Sequence, residues 1–172
     1  MRYIRLYEEF EKGNDIQCIS WEDANRLLSK NSDFCVIDWE TGKKWMMKRT
    51  SGKYHADVEP LTFRDSEIML SCFPKDKTFE DATFRPVIIE IGLSRYGASL
   101  MGFAHCGSNE TQFRDRTRIL SGGFRNMRNW DSIRDNGIVG HFCLHFIGSL
   151  RHTDKMEDIG AQNEIMRIKQ EK

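Results

Sequence analysis

Four short runs, residues 34–39, 44–49, 85–91 and 95–101, are rich in β-branched, aromatic and other apolar side chains and come in two close pairs. Glu40, Thr41 and Gly42, with Lys43, separate the first pair, and Gly92, Leu93 and Ser94 the second. Connections this short join antiparallel strands, because a parallel pair needs a crossover of a dozen or more residues. The expected fold is therefore α+β and mostly β: an antiparallel sheet or barrel-like core with two or three short helices and a long inserted flap. At 172 residues the chain suffices for a single domain over 1–172 that buries about two thirds of its unfolded surface.

Local signals place the helices. Ser20 followed by Asp23 reads as a capping box opening a short helix to about Leu28, which Asn31 and Ser32 stop. With the polar, aromatic residues before it, this helix makes an N-terminal arm over 1–33. Thr62 followed by Asp65 caps a second helix over about 63–71, ahead of Pro74. A terminal helix over 156–170 carries Met156, Ile159, Ile165, Met166 and Ile168 partly on one stripe. Residues 107–137 are rich in Arg, Asn, Gly and Ser and read as an inserted flap.

Composition narrows the function. Lys plus Arg number 26 and Asp plus Glu 26, so nucleic acid is not expected as a partner, although the flap interleaves Arg114, Arg116, Arg118, Arg125, Arg128 and Arg134 with Phe113, Phe124 and Trp130. Pairing of those arginines with Asp115, Asp131 and Asp135 is the simpler expectation. Five cysteines without CxxC spacing indicate neither a closed disulfide framework nor a zinc ribbon. The first residues lack the apolar core of a signal peptide, and no run approaches the roughly 18 apolar residues of a membrane span. A soluble chain, cytoplasmic as synthesised and with no membrane partner, is expected, with cell wall or virion as alternative working places.

The chemistry concentrates in Gly140-His141-Phe142-Cys143-Leu144-His145-Phe146. In a strand, side chains two apart share a face, so His141, Cys143 and His145 project together while Phe142, Leu144 and Phe146 point into the core. A thiol beside imidazoles can attack carbonyls or bind metal. Two further imidazoles lie in polar motifs: His55 stands two residues before Asp57, a spacing suited to orienting a ring or ligating a metal, and His105 follows a hairpin strand and is the candidate general base. The alternative for His55 is a solvated turn.

Several segments together resemble an uncharacterised bacterial family whose members usually follow cell-wall-binding modules. They are Gly52-Lys53-Tyr54-His55-Ala56-Asp57-Val58-Glu59-Pro60-Leu61-Thr62, Arg85-Pro86-Val87, Ala98 to His105, Gly140 to Phe146, and Ser149-Leu150-Arg151-His152. That family is distantly similar to the L,D-transpeptidases of peptidoglycan, whose signature is a His-Gly segment followed by Ser-His-Gly-Cys-Ile-Arg. The resemblance implies Cys143 as nucleophile, His105 as upstream base, His141 as the histidine two before the nucleophile, and His145 in the place of the signature arginine. Gly140, Phe142 and Cys106 also stand where the signature has other residues.

These readings lead to three expectations. The first is a cysteine-dependent enzyme acting on an amide or peptide bond of peptidoglycan peptide through an acyl-thioester on Cys143. Here His105, His141, His145 and Asp57 complete the catalytic set, His55, His152 and Arg85 bind substrate, and no cofactor is needed. The second is a zinc site of His141, Cys143, His145 and His55. The third is a non-catalytic binding module of a phage or virion.

Overall fold

The computed structural model describes residues 15–73, 83–104, 131–138 and 140–171. The expected hairpins are present. Strands β2 (Asp33–Asp38) and β3 (Lys44–Ser51) pair around Gly42, whose φ of +70° costs glycine nothing. Strands β5 (Phe84–Ile91) and β6 (Ser94–Met101) pair over their whole length around Gly92. Between the hairpins lies β4 (Ala56–Pro60), antiparallel to β3.

The last strand, β7 (Phe142–His145), joins the two hairpin systems. On one edge it pairs with β4, Asp57 opposite Cys143, and on the other with β6, Ser99 opposite His145. Since β2 also pairs with β5, the strands close in the ring β2–β3–β4–β7–β6–β5. The core is thus a closed, six-stranded antiparallel barrel. A two-residue strand, β1 (Ile16–Gln17), adds in parallel to β6 at Arg95 and Tyr96, on the edge that β7 occupies further along.

Strand alternation fills the barrel. Phe34, Val36, Trp45, Met47, Ala56, Val58, Val87, Ile89, Ala98, Leu100, Phe142 and Leu144 form one buried cluster, and registers such as Val58 with Phe142 and Leu100 with Leu144 carry it around the ring. Each large apolar side chain so buried contributes roughly 1.5–3 kcal/mol.

The helices cover what the ring leaves open. Helix α1 (Trp21–Leu27) starts at Ser20, whose hydroxyl accepts from the Asp23 amide, and sends Ala24 and Leu28 into the core. Asn31, at φ +66°, follows it. Helix α2 (Phe63–Leu70) has the full capping box of Thr62 and Asp65 and adds Met69. Helix α3 (Ile159–Gln170), capped by Asp158, lies against β5 and β6 on the outer face, with Ile168 over Gly97. Its start and stripe differ from expectation. Ala161, Ile165 and Ile168 are buried, whereas Ile159 and Met166 face solvent and Met156 lies exposed ahead of the Asp158 cap, because the row spaced i, i+4, i+7 is the face that packs on β5 and β6.

Parts of the N-terminal arm (1–14) and of the flap (107–130), with His105 and Cys106, lie outside the described residues. The end of the flap, 131–138, is anchored on the barrel: the amides of Ser132 and Ile133 donate to the Glu59 carboxylate, and the Asn136 side chain donates to the Pro60 carbonyl. No described helix is long and apolar enough to cross a membrane.

Candidate active site

The outer faces of β4 and β7 carry the polar cluster. Phe142, Leu144 and Phe146 do enter the core, and Cys143 and His145 take the opposite face, as alternation requires. That opposite face is buried too: His141, Cys143 and His145 are each at most 5% exposed. Register then sets Asp57 directly across from Cys143, and a cross-strand pair of this kind brings the side chains within reach.

His55 comes from the segment just before β4 and His152 from the loop after β7. Two bonds join those segments: the Leu150 amide donates to the Tyr54 carbonyl, and the His55 side chain, through Nδ1, lies 2.8 Å from the Leu150 carbonyl oxygen. The alternative of a solvated turn at His55 does not hold, since the residue is 2% exposed. Gly52, at φ +104°, permits the approach, because a Cβ there would stand 2.0 Å from the His55 carbonyl oxygen.

Asp57 is the centre. Its Oδ1 lies 3.4 Å from His55 Nε2, 3.7 Å from His141 Nε2 and 3.6 Å from His152 Nε2, and its Oδ2 accepts from the Ser51 hydroxyl at 2.5 Å. His55 stacks on His145 with centroids 4.6 Å apart and meets His152 edge-on at 4.4 Å. The Phe84 ring meets His145 edge-on. Among the described residues, three groupings bring ligand-type atoms within 4.8 Å of one another: Asp57, His141 and Cys143; His55, Cys143 and His145; and His55, Asp57 and His152.

Burial sets the protonation states. Desolvation would raise the Asp57 pKa, but the imidazoles of His152 and His55, with His141 beside them, hold the carboxyl well below its usual range. For His141 burial dominates and lowers the pKa despite the pull of Asp57, so the ring is neutral at neutral pH. Burial, then the Asp57 and Asp158 carboxylates, push the Cys143 thiol well above its ordinary value. At rest the group is a neutral thiol, a neutral imidazole and a charged carboxylate.

Of the expected site residues the structure gathers Cys143, His141, His145, Asp57, His55 and His152. It does not gather Arg85, whose guanidinium is engaged by Asp38 at 2.6 and 2.8 Å and by Glu40 at 2.9 Å. For the zinc set, His55, Cys143 and His145 are mutually close, while His141 falls in the grouping with Asp57. Sequence reasoning missed Ser51, which holds Asp57, Ser99, opposite His145, and Glu59, which anchors the flap. Only Glu59 had a local signal, its two-residue spacing from Asp57 on the same strand face.

Comparison with family models, curated proteins and solved structures finds no match to this chain.

Proposed function

We propose that this chain is a cysteine-dependent enzyme that cleaves or exchanges an amide bond, with a peptidoglycan peptide as substrate. The observation that carries the reading is the grouping of Cys143, His141 and Asp57, all within 4.8 Å, with Asp57 paired across the sheet from the nucleophile. This is the nucleophile, base and orienting carboxylate of a triad, recognised by geometry rather than by order in the chain. The peptidoglycan assignment rests on the resemblance of the five segments between Gly52 and His152 to the cell-wall-associated family.

Because the thiol is protonated at rest, attack and proton removal must be coupled. The Cys143 sulfur forms a bond to the carbonyl carbon as an imidazole takes the thiol proton, and the Asp57 charge offsets the imidazolium. Collapse of the tetrahedral intermediate breaks the C–N bond, and the imidazolium returns the proton to the departing amine, leaving an acyl-thioester. A second amine or water then attacks the thioester carbon and releases the thiol. In this reading His141, grouped with Cys143 and Asp57, serves as the base, and the resemblance gives His105 the same role.

Incubation of the protein with purified sacculi tests the reading. Released or newly cross-linked muropeptides are expected from the parent and not from Cys143→Ala. Activity that survives this substitution overturns the proposal.

A further inference from the structure

The geometry points to a divalent transition-metal site, of the kind zinc occupies, formed by His55, Asp57 and His152. This site goes beyond the thiol chemistry and does not rest on it, since Cys143 is in the two other groupings and not in this one.

The argument starts from two buried atoms. His55 Nδ1 faces the Leu150 carbonyl oxygen at 2.8 Å, and a carbonyl can only accept, so Nδ1 carries the proton. In the neutral ring Nε2 then holds a lone pair, and it is aimed at Asp57 Oδ1, 3.4 Å away. With the ring neutral, two acceptors would face each other there. Both atoms are buried, and neither has a hydrogen-bond partner among the described residues. Such an arrangement is costly unless a cation lies between them, either a proton that makes His55 an imidazolium or a metal ion.

Distances and chemistry favour the metal. Zinc bonds of about 2.1 Å to nitrogen or oxygen place tetrahedral ligands about 3.4 Å apart. Oδ1 of Asp57 stands 3.4 Å from Nε2 of His55 and 3.6 Å from Nε2 of His152. Two imidazoles and a carboxylate are an accepted donor set for zinc and other first-row divalent ions, with a fourth position left open. The outer shell is also in place: a carbonyl fixes the His55 tautomer, and the Ser51 hydroxyl orients the other carboxylate oxygen. His152, whose side chain is 31% exposed, supplies an entry path. Oδ1 has two lone pairs and can face both the metal and the His141 ring.

A bound ion would tie the start of β4, with His55 just before it, to the loop after β7, a piece far along the chain. The test uses the full chain, loaded with zinc, freed of excess and analysed for metal, with cobalt(II) as a spectroscopic substitute. One equivalent of zinc is expected, retained by Cys143→Ala and bound at least about tenfold more weakly by His152→Ala. The cobalt spectrum of the unaltered chain should show tetrahedral d–d bands without a thiolate-to-cobalt charge-transfer band, which decides the matter even if a variant fails to fold. Absence of bound metal overturns the inference. So does a thiolate band, or loss of zinc with Cys143→Ala and not with His152→Ala, either of which assigns the ion to His55, Cys143 and His145. None of these outcomes measures amide-bond activity, so the two proposals stand or fall separately.

Discussion

Replacing Arg85 with methionine tests whether this residue serves the substrate or the fold. Asp38 is fully buried, and Arg85 donates to both of its oxygens, from Nε at 2.6 Å and from a terminal nitrogen at 2.8 Å. Methionine keeps the apolar stem and removes the charge, leaving a buried carboxylate. Removing one partner of a buried ion pair costs about 3–5 kcal/mol. Here Thr41 still donates its amide and hydroxyl to Oδ1, and the Arg85 side chain is 14% exposed, so water reaches the gap and the expected loss is about 2–3 kcal/mol. The pH dependence gives a second readout. Burial opposes the Asp38 charge, but the bonds from Arg85 and Thr41 prevail and lower its pKa. A carboxyl with a depressed folded-state pKa adds stability that is present above its unfolded value of about 3.9 and is lost as pH falls through the folded value. Urea unfolding of parent and variant should therefore differ at pH 7 and converge under acid. Adding Asp38→Asn to the variant should recover part of the loss, since the unpaired charge is gone. A difference under about 1 kcal/mol at pH 7, or one that does not shrink in acid, would refute the structural role.

Glu59 should make stability depend on pH in the opposite sense. Burial outweighs the amides of Ile133 and Ser132 and raises its pKa to about 7, so the stability present below its unfolded value is lost as pH rises through 7, by up to about 3 kcal/mol. In metal-free buffer, chemical denaturation of Glu59→Gln should show a flatter profile over this range, and an unchanged slope would count against the assignment. Gly52→Ala should cost at least about 2 kcal/mol in thermal unfolding, because φ is +104° and the new Cβ meets the His55 and Asp57 backbone at 2.0 and 2.7 Å. A neutral result there would mean that the turn before β4 yields. In metal-free protein at neutral pH, Cys143 should alkylate more slowly than a free thiol, because burial and Asp57 hold it protonated. Fast alkylation would show the thiolate to be present at rest.

Much of the fold was legible in the sequence where the physics is local. Capping at Ser20 and Thr62 depends on a side chain reaching an amide three residues on, and the hairpins at Gly42 and Gly92 on positive φ at one position. Alternation in 141–146 likewise separates the core-facing phenylalanines and leucine from the cysteine and histidines without any partner being known. The end helix was less legible: a stripe including Met156 and Met166 is expected, but the row of Ala161, Ile165 and Ile168 packs on β5 and β6, and which row does so is decided by that tertiary contact.

What the sequence by itself determined, then, is which residues share a face and where each element begins. It could not say what lies opposite. That Asp57 meets Cys143 follows from β7 pairing with β4 across half the length of the chain, and closure follows from the same strand pairing with β6. That His55 and His152 meet depends on two loops joined by one backbone bond and one bond from the His55 ring. These are long-range choices, made by the burial of Phe142, Leu144, Ala56 and Val58 inside one ring. Only that closure takes five scattered polar side chains out of water together, with His152 at their edge, and the shared burial of thiol, imidazoles and carboxylate is what gives the cluster its chemistry.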